Sequence, residues 1–259
     1  RIVTGNIEPH HFMGFSGGAK SLSIGCCGRK TINKNHEMLI DPAATIGAYE
    51  SNPMRQDVEE ISQLAGLQYA VNVVLNNKKE ISKVFAGNPL DVMQAGIQEV
   101  QKSGLITIPA LFDIAIASVG GSPKDINLYQ SQKAITHAAM CVRDGGAVIL
   151  AAECPEGSGS TSFEEFVRGV HTLQDVFDRF NAQGFRIGPH KAFQIARLAS
   201  RVKIYMVSEI ADEMVRNWFI TPVSSINAAF EMANKDITPV NRVVVLPRAT
   251  NTIPYLKDM

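Results

Sequence analysis

The chain has 259 residues, with 25 Lys or Arg against 25 Asp or Glu, so its formal charge at neutral pH is zero. That balance gives no electrostatic reason to bind nucleic acid or an anionic membrane. The length allows one large domain or two modest ones, and no apolar run approaches the roughly 18 residues that a membrane-crossing helix needs.

Residues 1–52 read as loops and short strands, punctuated by glycine and by Asp41-Pro42. Asn52-Pro53 opens a helix over 53–64, with proline in the first turn and Gly66 as its stop. The run 69–75 alternates as a strand. The turn Asn76-Asn77-Lys78-Lys79 returns it as a second strand over 81–85. A helix over 90–101 shows apolar residues three and four apart. Composition shifts near Ser103. From there an apolar strand over 112–119 runs into Gly120-Gly121, followed by a helix over 129–142. The turn Asp144-Gly145-Gly146 leads to a strand over 147–152. Helices follow over 162–168, 171–182 and 190–201, then a strand over 202–207, helices over 209–216 and 224–233, and a strand over 242–246. Apolar strands alternating with helices are the pattern of a parallel sheet covered on both faces.

The densest chemistry lies early, in His10-His11-Phe12-Met13-Gly14-Phe15-Ser16-Gly17-Gly18-Ala19-Lys20, with His36 following. Glycines let backbone N–H groups approach an anion closely. Lysine supplies a charge or an amine, and histidine a proton shuttle or a metal ligand. The spacing is neither that of a Walker A loop nor that of a GxGxxG turn, and a structural turn competes with a phosphate site. Three histidines suggest zinc, but they form no HxH or HxxxH pair, and His36 in Asn33-Lys34-Asn35-His36 reads equally as an exposed turn residue. Gln130 and Lys133, three apart, share a helical face after a strand's carboxyl end. His190-Lys191 and Glu153 with Glu156 read as surface or rim groups. Cys26, Cys27, Cys141 and Cys154 lack zinc-like spacing. The adjacent pair reads as two small buried apolar residues, with reduced thiols that fit the cytoplasm.

The early motif, with Asn35-His36 and with Gly47 followed by Asn52-Pro53-Met54-Arg55, resembles the nickel-dependent lactate racemase family. The resemblance continues through Gly120-Gly121-Ser122-Pro123, Tyr129-Gln130-Ser131-Gln132-Lys133, Gly145-Gly146 and Glu153-Cys154-Pro155-Glu156-Gly157. It implies a racemase or epimerase of a 2-hydroxy acid, an isomerase working by reversible hydride transfer to a nickel pincer nucleotide. By position Lys20 is the covalent attachment point, and Gly14, Ser16, Gly17 and Gly18 are cofactor-binding. His36 is the protein's ligand to nickel, His10 the catalytic acid–base, and Gln130 and Lys133 contact the substrate.

The implied fold is α/β in two domains. Residues 1–105 form the remainder of an N-terminal cofactor-binding domain, which the C-terminal tail may rejoin. Residues 106–259 form a Rossmann-like domain, with a ligand cleft between the two. The implied partners are the hydroxy acid and the cofactor-synthesis enzymes, with no nucleic acid and no membrane. The chain starts at Arg1 without an initiator methionine, and the family's second catalytic histidine and its Asp/Thr/Arg motif, both upstream of this loop, have no counterpart. A fragment lacking the N-terminal part, or a processed product, is therefore expected. The family's substrate-lining tryptophan also has no counterpart near His190-Lys191-Ala192-Phe193, which points to a larger or more polar acid than lactate. Two other readings compete: a non-catalytic nucleotide- or anion-binding module that has lost racemase chemistry, and a zinc-dependent hydrolase using His10, His11 and His36.

Overall fold

The computed structural model describes residues 1–256 apart from 77, 104 and 238. The expected turn at 76–79 includes Asn77, which lies outside the described residues. The chain forms two compact units, Arg1–Leu105 and Ile106–Met259.

The first unit contains β1 (Ile2–Asn6), β2 (Pro9–His10), β3 (Gly14–Phe15), α1 (Lys20–Ser23), α2 (Arg29–Glu37), α3 (Pro53–Leu64), β4 (Tyr69–Leu75), β5 (Ile81–Gly87) and α4 (Pro89–Ser103). Strand β4 pairs parallel with β1 and antiparallel with β5. The apolar stripe of α4, with Val92, Met93, Ile97 and Val100 buried, packs with Val3, Ile7, Phe15, Ala70 and Val74 into one core. Asn52 caps α3 by accepting from the Arg55 N–H, with Pro53 in the first turn, as the sequence specifies.

The segment around His36 differs from expectation: it is helix α2, and His36 is buried. Its N-cap is Gly28, without a side-chain cap bond, so the usual start signal is missing. The cysteine pair differs as well, since Cys26 is exposed and Cys27 partly so.

The second unit contains β6 (Leu105–Ile108), β7 (Phe112–Ser118), α5 (Leu128–Met140), β8 (Val142–Ala151), α6 (Thr161–Val167), α7 (Leu173–Gln183), α8 (Pro189–Ala199), β9 (Lys203–Val207), α9 (Asp212–Arg216), β10 (Thr221–Pro222), α10 (Ile226–Asp236), β11 (Val243–Leu246) and β12 (Ile253–Leu256). Its main sheet has the order β10-β9-β8-β7-β11, every pair parallel. Strands β7 to β10 march in one direction, and β11 returns to the other side of β7. The order therefore reverses at β7, the Rossmann-like switch beside which open α/β sheets bind ligands. Strand β12 pairs with β6. No helix among the described residues is long and apolar enough to cross a membrane.

The glycines at 145 and 146 do not precede β8 as a turn. They bulge out of it, because the partner of β7 jumps from Phe112↔Val142 to Ile114↔Ala147. Opposite this bulge, Asp113 accepts from Arg143 Nε at 2.5 Å and from the Asn241 and Arg242 N–H groups at 2.8 and 2.9 Å. The Asn241 N–H, then the Arg143 guanidinium, hold its carboxyl below the usual range. A depressed carboxyl contributes stability above its unfolded pKa of about 3.9, and loses it as pH falls through the lower folded value. Asp113→Asn is expected to cost about 1–3 kcal/mol at pH 7 and to flatten the acid limb of the stability curve. Urea titrations from pH 3 to 7 check this, and an unchanged acid slope would contradict it.

Candidate active site

The Gly-rich segment from Phe12 to Lys20 is a loop whose carbonyls are tied to α3. Asn52 Nδ2 donates to Phe12 O at 2.9 Å. Arg55 Nη1 donates to Phe15 O at 3.1 Å and to Gly17 O at 3.2 Å, and Ser62 Oγ donates to Ala19 O at 2.9 Å. Arg55 is fully buried and is charge-balanced by Glu59, whose Oε1 lies 2.9 Å from Nε and 2.6 Å from Nη2. Tyr49 OH donates to the same Glu59 oxygen at 2.8 Å, and the Tyr49 ring lies 5.1 Å from the guanidinium carbon. A residue at the start of a helix thus acts as a clamp on a loop some forty positions earlier.

Glycine is required here by the chain's own packing. A Cβ at Gly14, where φ is +71°, would lie 1.6 Å from Ala48 O. At Gly18, with φ +55°, it would meet Met93 Cγ at 2.6 Å. Both positions combine a backbone that favours glycine with a closed space. The Gly18 N–H donates to Asn72 Oδ1 at 3.2 Å. The buried Nδ2 of Asn72 has no acceptor among the described residues. Gly17 and Ser16 complete the turn, with the Ser16 N–H bonded to Glu8 O at 2.8 Å.

Lys20 opens α1 at the end of this loop, half-buried. Burial, then the positive charge of Arg55, lowers its pKa, and Glu8 opposes them weakly. His36, on the last turn of α2, lies within electrostatic reach of Lys20. Burial and that lysine lower its pKa against the opposing pull of the Ile32 carbonyl. A carbonyl only accepts, so the 2.8 Å bond between His36 Nδ1 and Ile32 O places the ring proton on Nδ1. The neutral ring then carries its lone pair on Nε2. Metal-ligating histidines commonly donate their second N–H to a backbone carbonyl in this way.

His10 pairs with Gly14 across the β2–β3 ladder. Its ring stands edge-on to Phe12 at 4.7 Å, and Phe12 stands edge-on to His36 at 5.4 Å. Phe12, which the sequence did not single out, therefore spaces the two histidines. His10 Nδ1 accepts from the Met13 N–H at 3.3 Å, a long bond that puts the proton of the neutral ring on Nε2. His11 neighbours His10 with ring centroids 6.4 Å apart. Among the described residues no three His, Cys, Asp or Glu side chains converge as a metal site.

In the second unit, Gln130 and Lys133 lie on the first turns of α5, the helix that follows the carboxyl end of β7. Gln130 is exposed and Lys133 half-buried. Asn127 caps the helix by accepting from the Gln130 N–H at 3.1 Å. The loop leaving the carboxyl end of β8 braces it, since the Leu128 and Tyr129 N–H groups donate to Gly157 O and Ser158 O. His190 and Lys191 are not rim groups. Both are buried near the start of α8, packed against Tyr129 at 6.0 Å between ring centroids and 4.8 Å from ammonium to ring.

Parallel sheet, strand-order reversal and a clamped glycine loop that leads into Lys20, within electrostatic reach of His36, define an α/β protein with a tightly built loop. The pattern of the lactate racemase N-terminal domain matches residues 1–47, and that of the lactate racemase C-terminal domain matches residues 108–253. The chain belongs to the lactate racemase family. The lactate racemase of Thermoanaerobacterium thermosaccharolyticum is 32% identical, covering 97% of this chain and 60% of the relative. That of Lactiplantibacillus plantarum is 31% identical, covering 97% and 61%. The chain thus spans about three fifths of the length of the curated relatives it matches. The lactate racemase apoprotein structure from T. thermosaccharolyticum superposes with a TM-score of 0.88 at 31% identity, over 98% of this chain and 62% of that one. A Thermotoga maritima protein shares the fold, with a TM-score of 0.71 at 13% identity, over 99% of this chain and 66% of that one.

Proposed function

We propose that this chain carries the chemistry of a 2-hydroxy acid racemase or epimerase, with a nickel pincer nucleotide tethered to Lys20 and His36 as the protein's ligand to nickel. Family membership supports the reaction class. The observation that carries the residue assignment is the His36 Nδ1–H bond to Ile32 O, which holds the ring and leaves the lone pair of the neutral imidazole on Nε2. One imidazole suffices because the pincer supplies the remaining donors. When bound, the cofactor supplies a reversible hydride acceptor for C2 of the substrate.

The chain's own residues do the rest. Lys20 is held where an ammonium is disfavoured by burial and by Arg55, so a neutral acyl linkage at Nζ relieves the repulsion. Gly14, Ser16, Gly17 and Gly18 shape the turn from which Lys20 emerges. His10 exchanges the proton of the 2-hydroxyl at Nε2. Taking that proton up needs the lone pair at Nε2, with the ring hydrogen on Nδ1 in place of the contact from Met13, and the imidazolium so formed returns the proton to the 2-oxo oxygen. Lys133 offers its cation to the substrate carboxylate, and Gln130 its amide. Cofactor-synthesis enzymes are the partners this reading requires.

Intact mass and metal content of the full-length protein, co-expressed with cofactor-synthesis enzymes, test the reading. An adduct on Lys20 with stoichiometric nickel is expected. No adduct and no nickel would favour the non-catalytic module, and zinc without an adduct would sink the pincer. His36→Ala should abolish nickel retention, while His10→Ala should keep nickel and lose turnover. Equal nickel loss in both variants would contradict these roles.

A further inference from the structure

The two ends of the five-stranded sheet are finished differently. The sheet ends in β10 on one side and in β11 on the other. Strand β10 is only Thr221 and Pro222. Shortness and a proline are two devices by which proteins keep an edge from pairing. Strand β11 is Val243-Val244-Val245-Leu246, with neither a charge nor a proline between Arg242 and Pro247. Valine favours paired strands, and nothing within this one discourages a neighbour.

The register says which groups are on offer. Arg242 turns its carbonyl to β7, where it accepts from the Asp113 N–H at 2.9 Å. Backbone direction alternates along a strand, so Val244 also faces β7, whereas Val243 and Val245 point their N–H and C=O groups outward. Beyond them the sheet has no further strand among the described residues. Their side chains are open as well. Ladder partners share a face, so Val243 lies with Ile114 and Val245 with Ile116, on the side where α10 packs on β8 and β9. A parallel sheet is ordinarily covered on both faces, yet Val243 is 38% and Val245 61% exposed.

An identical strand fits this edge. Two copies related by a two-fold axis through Val244, at right angles to the sheet, run antiparallel. Val243 then stands opposite Val245 of the second copy, both with outward groups, so that each N–H meets a C=O. The donor and acceptor rows are complementary, and the axis repeats the match on its other side. The exposed valines meet as cross-strand pairs on one face. The arginines stay apart, because Arg242 falls opposite Leu246. We propose that β11 is the interface of a homodimer in which the sheets of two chains join edge to edge, antiparallel, about Val244. This proposal does not depend on the racemase reading.

Sedimentation equilibrium of the full-length protein tests it and should show a reversible dimer. Val243→Lys with Val245→Lys sets lysine opposite lysine and should weaken the dimer at least about tenfold. Val243→Glu with Val245→Lys sets glutamate opposite lysine in the same register and should restore it. Both positions are open in the single chain, and circular dichroism first confirms that each variant is folded. In the wild type, hydrogen exchange at the Val243 and Val245 N–H groups should slow as concentration rises, a readout that needs no variant. A protein monomeric at every attainable concentration overturns the proposal, and so does exchange at these groups that is independent of concentration. A dimer that survives the paired lysines, or one that the glutamate–lysine pair fails to restore, overturns it too.

Discussion

Arg55→Met should lower stability toward urea by about 3–5 kcal/mol, the cost of breaking a buried ion pair from one side. The substitution strands the Glu59 carboxylate in a site 7% exposed and leaves the Phe15 and Gly17 carbonyls without the guanidinium they share. Removing both partners, in Arg55→Met with Glu59→Leu, should cost less than Arg55→Met alone, because no uncompensated charge remains. If the double variant is the less stable of the two, the clamp owes its energy to packing and not to charge. The single variant should also admit protease between Phe12 and Lys20, where the loop has lost its anchor.

The opposite sign is expected at Lys191. Its pKa of about 8 in the fold, against about 10.4 unfolded, means that burial and Lys133 charge the protein roughly 2–4 kcal/mol for holding it protonated. Between those values the unfolded chain binds more protons than the folded one, so stability rises with pH through that window. The penalty is fully present below pH 8 and gone above about pH 10.4. Lys191→Met should therefore stabilise the protein at pH 7, and the gain should shrink as pH rises toward 10. Lys133 on α5 and the Tyr129 phenol, whose pKa burial raises, are the titratable groups facing it. A variant less stable than the wild type at pH 7 would mean that the Tyr129 contact outweighs desolvation.

Both residues mark where reading the sequence stops. The helices at 53–64 and 90–101 and the parallel strands of the second unit carry caps, periodicity and apolar runs, all local signals, and they form as expected. Helix α2 was hidden because Arg29–Glu37 is polar, begins after an uncapping glycine, and turns in little more than Asn35 and His36. Arg55 carries no local sign of burial. Basic residues in a first helical turn face an unfavourable dipole and read as solvated, and only the folded loop supplies the carbonyls that draw it inward. Lys191 beside His190 reads as a polar helix start for the same reason. The motif loop was legible as chemistry, but not the division of labour within it. Lys20 comes within electrostatic reach of His36 because α1 and α2 both pack on α3, a tertiary fact with no footprint in spacing.

The sheet order has a consequence during synthesis. Strand β7 is complete by residue 118, and β8 covers one edge of it by residue 151. Its other edge waits for β11, which ends at Leu246. While well over a hundred residues leave the ribosome, an apolar strand that is interior in the finished sheet keeps a bare row of N–H and C=O groups, the kind of edge that recruits another chain. Nascent chains stalled between β8 and β11 should therefore be more prone to aggregation and chaperone capture than chains stalled just after β11. Ribosome-release profiling of the two lengths would reveal that difference.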